Sequence, residues 1–167
     1  KTASLIEVST GAVVRKIEGV HSEFIRSACF SPDGKTLCLA SDDKTASLIE
    51  VSTGAVVRKI EGVHSDHIWS ACFSPDGKTL CLASLDRTAS LIEVSTGAVV
   101  RKIEGVHSEF IMSACFSPDG KTLCLASNDK TASLIEVSTG AVVRKIEGVH
   151  SEGLRSACFS PDGKTLC

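Results

Sequence analysis

An all-β fold made of repeated four-stranded antiparallel units is what this sequence predicts, and three observations carry the prediction. The segment TASLIEVSTGAVVRKIEGVHS follows Lys1, Lys44, Arg87 and Lys130, so the chain repeats with a period of 43 residues. Each copy sets short β-prone apolar runs around proline and glycine turns. No stretch shows sustained helical periodicity with caps, which argues against a helical solenoid of similar period.

The copies span residues 1–43, 44–86, 87–129 and 130–167, the last truncated. In the run SACFSPDGKTLCLAS, Ser31-Pro32-Asp33-Gly34 separates a first strand from a second. If that hairpin is centred between Pro32 and Asp33, Cys38 faces Ser27 and lies diagonal to Cys29, a poor geometry for a disulfide. By the same pairing Phe24 faces Ser41. Ser52-Thr53-Gly54 then separates LIEV from AVVRKI as third and fourth strands. Four short strands in about 40 to 45 residues fit one blade of a β-propeller.

The pattern HS-x4-SACFSPDGKTL-x4-DDKTASLIEVSTG resembles the WD-repeat family, and the resemblance runs through the whole chain. Val20-His21 stands where the family has Gly-His, Asp43 where it has the aspartate of a tight turn, and Ile49-Glu50 where it has Trp-Asp. The resemblance implies a structural pairing of His21, His64 and His107 with Asp43, Asp86 and Asp129, and the same role for His150. Isoleucine cannot donate a hydrogen bond as an indole does, so Ile49 is expected to pack apolarly while His21 still reaches Asp43.

Propellers usually close with roughly seven or eight blades, and four blades per chain leave the ring open. The chain begins on the third strand of a blade and ends on the second. One blade is therefore expected to be divided between residues 1–18, its outer half, and residues 151–167, its inner half. Two chains then make an eight-bladed homodimeric ring, and closure of four blades on themselves is the second expectation.

Net charge is −2, from eighteen basic and twenty acidic residues, without a basic stripe. Nucleic acid and anionic membranes are poor partners for such a surface. No apolar run has the length of a membrane helix or the layout of a signal peptide, so a cytosolic location is expected. The eight cysteines are two per copy, Cys29 and Cys38 and their counterparts, and read as small buried hydrophobes in reduced form. Their C-x8-C spacing does not match a metal knuckle. GxxxxGK[ST], GxGxxG, HExxH and GxSxG motifs do not occur. Glu23 beside His21 reads as a solvated pair. No enzyme, no metal and no cofactor are expected.

Differences among the copies are concentrated. Apart from Arg87 in the place of Lys44, they fall in two windows. The first reads Glu23-Phe24-Ile25-Arg26, Asp66-His67-Ile68-Trp69, Glu109-Phe110-Ile111-Met112 and Glu152-Gly153-Leu154-Arg155. The second is Asp42, Leu85 or Asn128. Within the first window the second and fourth places change chemical class, and alternate strand residues share a side. Thr53, Arg58 and Lys59, expected to be exposed, do not vary, so the change is not scattered over the surface.

These slots predict a partner-binding rim of Phe24, Arg26, Asp42, His67, Trp69, Leu85, Phe110, Met112, Asn128, Gly153 and Arg155, rich in the residue types that anchor interfaces. In WD-repeat proteins the corresponding slots line the face that grips partners. Near-identical copies with a variable rim also resemble the sensor domains of NOD-like receptor proteins. The expected function is recognition of a protein or peptide. The alternative is a fragment or engineered repeat array whose only activity is self-assembly into a closed propeller.

Overall fold

The computed structural model describes residues 1–167, and its regular elements are all β-strands. Strands β1 (Thr2–Ile6) and β2 (Val13–Glu18) form a two-stranded hairpin. Three four-stranded antiparallel meanders follow. The first holds β3 (Ile25–Phe30), β4 (Thr36–Ser41), β5 (Ala46–Glu50) and β6 (Val56–Ile60). The second holds β7 (Ile68–Phe73), β8 (Thr79–Ser84), β9 (Ala89–Glu93) and β10 (Val99–Ile103). The third holds β11 (Ile111–Phe116), β12 (Thr122–Ser127), β13 (Ala132–Glu136) and β14 (Val142–Ile146). A last half-unit follows, in which Phe159 and Leu166 form one bridge.

The turn between the first two strands is wider than the sequence reading assumed, and the pairing shifts with it. Ser31 N–H donates to the Thr36 carbonyl at 2.8 Å, while Ser31 Oγ donates to Asp33 at 2.6 Å and accepts from Thr36 N–H at 2.9 Å. Pro32 to Lys35 thus form a four-residue loop, with Gly34 at φ +70°. Cys29 consequently faces Cys38 directly, and Ser27 faces Ala40 rather than Cys38. A bulge between Ile25 and Ser27 takes up one residue, so Ile25, not Phe24, pairs with Ser41. All eight thiols are free. The hydrogen bond from the facing thiol, together with burial, pushes Cys38 and Cys72 well above the usual thiol range.

Sheet faces pack radially. Cys38, Ala40, Ala46, Leu48 and Ile60 of the first sheet meet Ile68, Ala71, Leu80, Leu82 and Ile92 of the second, and the next seam repeats the arrangement. Ile17, Ala3 and Leu5 of the leading hairpin cover Leu37, Leu39 and Ile49. Because β4, β8 and β12 are covered on both faces, they read as continuous apolar runs without alternation.

Polar straps cross each seam. Arg15 donates to the carbonyls of Thr53 at 2.7 Å and Ser52 at 2.8 Å, and Arg58 repeats the contact on Thr96 at 2.6 Å and Ser95 at 2.8 Å. Arg58 is half-buried, so its invariance has a structural cause that the expectation of exposure overlooked. Thr53 and Lys59 are exposed as expected.

Candidate protein-binding face

Two sets of side chains meet where the loop entering each sheet approaches the turn after its second strand. The invariant set is structural. His21 Nδ1 donates to Asp43 Oδ2 at 2.9 Å, Ser22 N–H donates to the same oxygen at 3.1 Å, and Thr45 Oγ1 donates to Oδ1 at 2.6 Å. His64 with Asp86 and His107 with Asp129 repeat this at 2.9 and 3.0 Å. Burial pushes the Asp43 carboxyl up, but the bonds from Thr45 and His21 outweigh it and hold the group below the usual carboxylate range. Burial pushes His64 and His107 below the ordinary histidine value. Ile49, Ile92 and Ile135 are fully buried, packing apolarly where the resemblance placed an indole. Nε2 of His21, His64 and His107 is left buried without a protein partner. His150 is exposed and lines a cavity beside the last half-unit.

The variable set converges across the seams as well as within sheets. Asp42 N–H donates to the Phe24 carbonyl at 2.9 Å, which holds these two slots side by side. Arg26 donates through Nε to both Asp42 oxygens at 2.8 Å, and its guanidinium lies 4.7 Å from the Trp69 ring centre and 5.4 Å from that of Phe24. His67 Nδ1 donates to the Asp42 carbonyl at 2.5 Å. The Arg26 hydrogen bonds lower the Asp42 carboxyl below its ordinary range, and the charge of His67 adds to the effect. Lys1 Nζ sits 4.6 Å above Phe24.

The same two slots meet at two of the seams. The slot of Asp42 meets the second slot of the following sheet, His67. At the last seam a Cβ on Gly153 would run into the Asn128 side chain, so glycine there leaves room for the amide. A charged pair at one seam and a small-polar pair at another are a chemical matching that the sequence reading did not see.

Exposure divides the slots. Phe24 and Phe110 are 58% and 39% exposed, and Arg26 and Arg155 are also exposed. His67, Trp69, Leu85, Asn128 and Gly153 are partly buried. Asp42 and Met112 are buried, at 7% and 5%, and shape the rim from below. No group of three or more His, Cys, Asp or Glu side chains converges in a metal-binding arrangement. No helix is long and apolar enough to cross a membrane.

Stacked four-stranded meanders, each pinned by a buried His-Asp pair, define a repeat protein of propeller-blade units. Residues 12–50, 55–93 and 98–136 match the family model described as WD domain, G-beta repeat, and the chain belongs to that family. Proteins built from these repeats are generally interaction scaffolds, typically without catalytic activity. A search of curated proteins finds no match to the chain.

Proposed function

We propose that the chain is a non-enzymatic recognition module that grips a protein or peptide across its variable rim, in the cytosol, where its thiols stay reduced. The supporting observation is the cluster of Phe24, Arg26 and Trp69, in which an arginine lies over two aromatic rings, the exposed Phe24 and the partly buried Trp69. Aromatic and arginine side chains held in place before contact lose little entropy on binding and commonly dominate interface energetics. Phe110 and Arg155 extend the anchor set, while Asp42, His67, Leu85, Met112, Asn128 and Gly153 set its shape and chemistry. Near-identical copies with diversified rim slots favour the sensor region of a NOD-like-receptor-type protein as the setting.

The test is selection of a random peptide display library against the chain, then titration of enriched peptides on wild type and Trp69→Ala. Peptides that bind the rim should lose roughly 10-fold or more in affinity, as expected for an interface anchor. Peptides that bind both proteins equally would refute the named face.

A further inference from the structure

We propose that the facing thiols of each sheet, Cys29 with Cys38, Cys72 with Cys81 and Cys115 with Cys124, are dithiol sites that a small peroxide oxidises reversibly to a cross-strand disulfide.

Register brings the sulfurs together. Cys29 and Cys38 are direct partners on β3 and β4, and the other two sheets repeat the pairing. Two residues nearer the loop, Ser31 N–H donates to the Thr36 carbonyl at 2.8 Å, and the hydrogen-bonded kind of pair returns every second residue. Cys158 and Cys167, the counterparts in the last half-unit, exchange both backbone bonds at 3.0 Å. In such a pair the Cα atoms stand about 5.5 Å apart, within the roughly 4.4–6.8 Å that a disulfide spans. The Cβ atoms stand up to about 5.5 Å apart, wider than the about 3.8 Å of a relaxed disulfide. The bond therefore forms under tension and is readily reduced again.

The two thiols of a pair differ in reach and in charge. Cys29 is partly exposed, whereas Cys38 is 0% exposed. The hydrogen bond from Cys38, helped by the N–H of Phe73 in the next sheet, outweighs burial and lowers the Cys29 thiol, while Cys38 is raised. Cys115 and Cys124 divide in the same way. One sulfur is thus the reachable thiolate and the other keeps the proton, the division that attack and resolution require. In the second sheet the hydrogen bond from Cys81 and burial raise Cys72 instead, which makes that pair the slowest of the three.

The reaction balances without a cofactor. The Cys29 thiolate attacks one oxygen of hydrogen peroxide; the S–O bond forms as the O–O bond breaks, and the departing hydroxide takes up the proton that Cys29 gave up. Cys38, losing its own proton, then attacks the sulfenic sulfur. The S–S bond forms, the S–O bond breaks and a second water leaves. Two thiols are oxidised to one disulfide while one peroxide is reduced to two waters.

The experiment treats the full chain with hydrogen peroxide at neutral pH, blocks the remaining thiols with N-ethylmaleimide and cleaves after glutamate. Glu23 and Glu50 bound one peptide that holds Cys29 and Cys38 alone, and Glu61 with Glu93 and Glu109 with Glu136 bound the other two pairs. Each peptide should become two hydrogens lighter, unlabelled and unjoined to any other, Met112 sulfoxide aside, and should take two labels after reduced glutathione. Peptides joined across sheets, thiols still labelled under excess peroxide, sulfinic acid in place of the disulfide, or a bond that glutathione leaves intact would overturn the proposal. So would pairing that forms only in urea.

Cys38→Ala tests the division of roles. Without its partner, Cys29 should stop at the sulfenic acid and take dimedone, while Cys115 and Cys124 of the same molecule still join and report a folded chain. Cys29 untouched by dimedone beside a joined third pair would overturn its assignment as the attacking thiol.

Discussion

Replacing Asp86 with alanine removes one acceptor from four donors at once. Its carboxylate receives His64 Nδ1 at 2.9 Å, Ser65 N–H at 3.0 Å, Thr88 N–H at 3.0 Å and Thr88 Oγ1 at 2.6 Å. Ser65 is exposed and can turn to water, and Thr88 Oγ1 can rotate toward another partner. His64, whose side chain is 0% exposed, cannot reach water and keeps only Thr88 Oγ1, 3.1 Å from its Nδ1, as an acceptor. A buried donor left unpaired costs about 1–3 kcal/mol, and a bond to a charged group contributes about 1.5–3 kcal/mol. A poorly partnered imidazole and one lost turn bond therefore sum to roughly 2.5–6 kcal/mol, the lower part applying if Thr88 Oγ1 accepts from His64, and even that is a large part of the stability of a typical domain. Asp76→Ala is the comparison, since its carboxylate also accepts two bonds, from Ser74 Oγ at 2.6 Å and Lys78 N–H at 3.0 Å, but on an exposed turn. About 1 kcal/mol is expected there. Urea unfolding at neutral pH, followed by the fluorescence of the single tryptophan, Trp69, reads the sheet that holds Asp86. Asp86→Ala within about 1 kcal/mol of wild type would refute the reasoning.

Two further outcomes follow from the geometry. His64 and His107 are held below the ordinary histidine value by burial, so the unfolded chain binds their protons first; stability should fall as pH drops below about 6.5. Asp86 and Asp129 are held below the usual carboxylate range, which continues the loss as pH falls below about 4. Thermal midpoints declining from about pH 7.5 to about pH 5.5 are expected, with a shallower decline in the His64→Asn, His107→Asn double variant; a flat profile in wild type would contradict this. At Gly97, φ is +76° and an added Cβ would lie 2.5 Å from Arg58 Cδ, whereas Gly62, at φ +71°, opens on free space. Gly62→Ala should cost about 1–2 kcal/mol for the left-handed backbone alone, and Gly97→Ala more, because the Arg58 strap must also give way. Equal melting shifts would show that the strap contributes nothing.

Much of the fold could be read directly from the residues. Tertiary contacts then revised particular parts of that reading. The four-strand unit followed from Ser-Pro-Asp-Gly and Ser-Thr-Gly turns between apolar runs, and the His21-Asp43 pair from the resemblance to the WD-repeat family. Register was misread by two residues, because the number of residues left in a hairpin loop depends on which bonds Ser31 and Asp33 make. Arg58 looked like an ordinary surface residue, since its partners, two backbone carbonyls, carry no side-chain signature. Met112 and Arg26 occupy the same slot, yet one is buried and the other exposed, because β11 packs beside the first strand of a complete sheet while β3 is preceded only by a two-stranded hairpin.

By itself the sequence determined the repeat, the strand order within each unit and the positions where copies differ, which are set by turn chemistry and by a period written into the chain. The pinning His-Asp pairs, 22 residues apart, followed from the resemblance to the WD-repeat family. Only the tertiary structure decided that Asp42 meets His67 and Asn128 meets Gly153, that cysteines face one another, and that Ile6 lies bare while its counterparts are buried. The meetings of Asp42 with His67 and of Asn128 with Gly153 depend on how one twisted sheet stacks on the next, which no turn or alternation encodes, whereas the cysteine pairing depends on the loop bonds of Ser31 and Asp33.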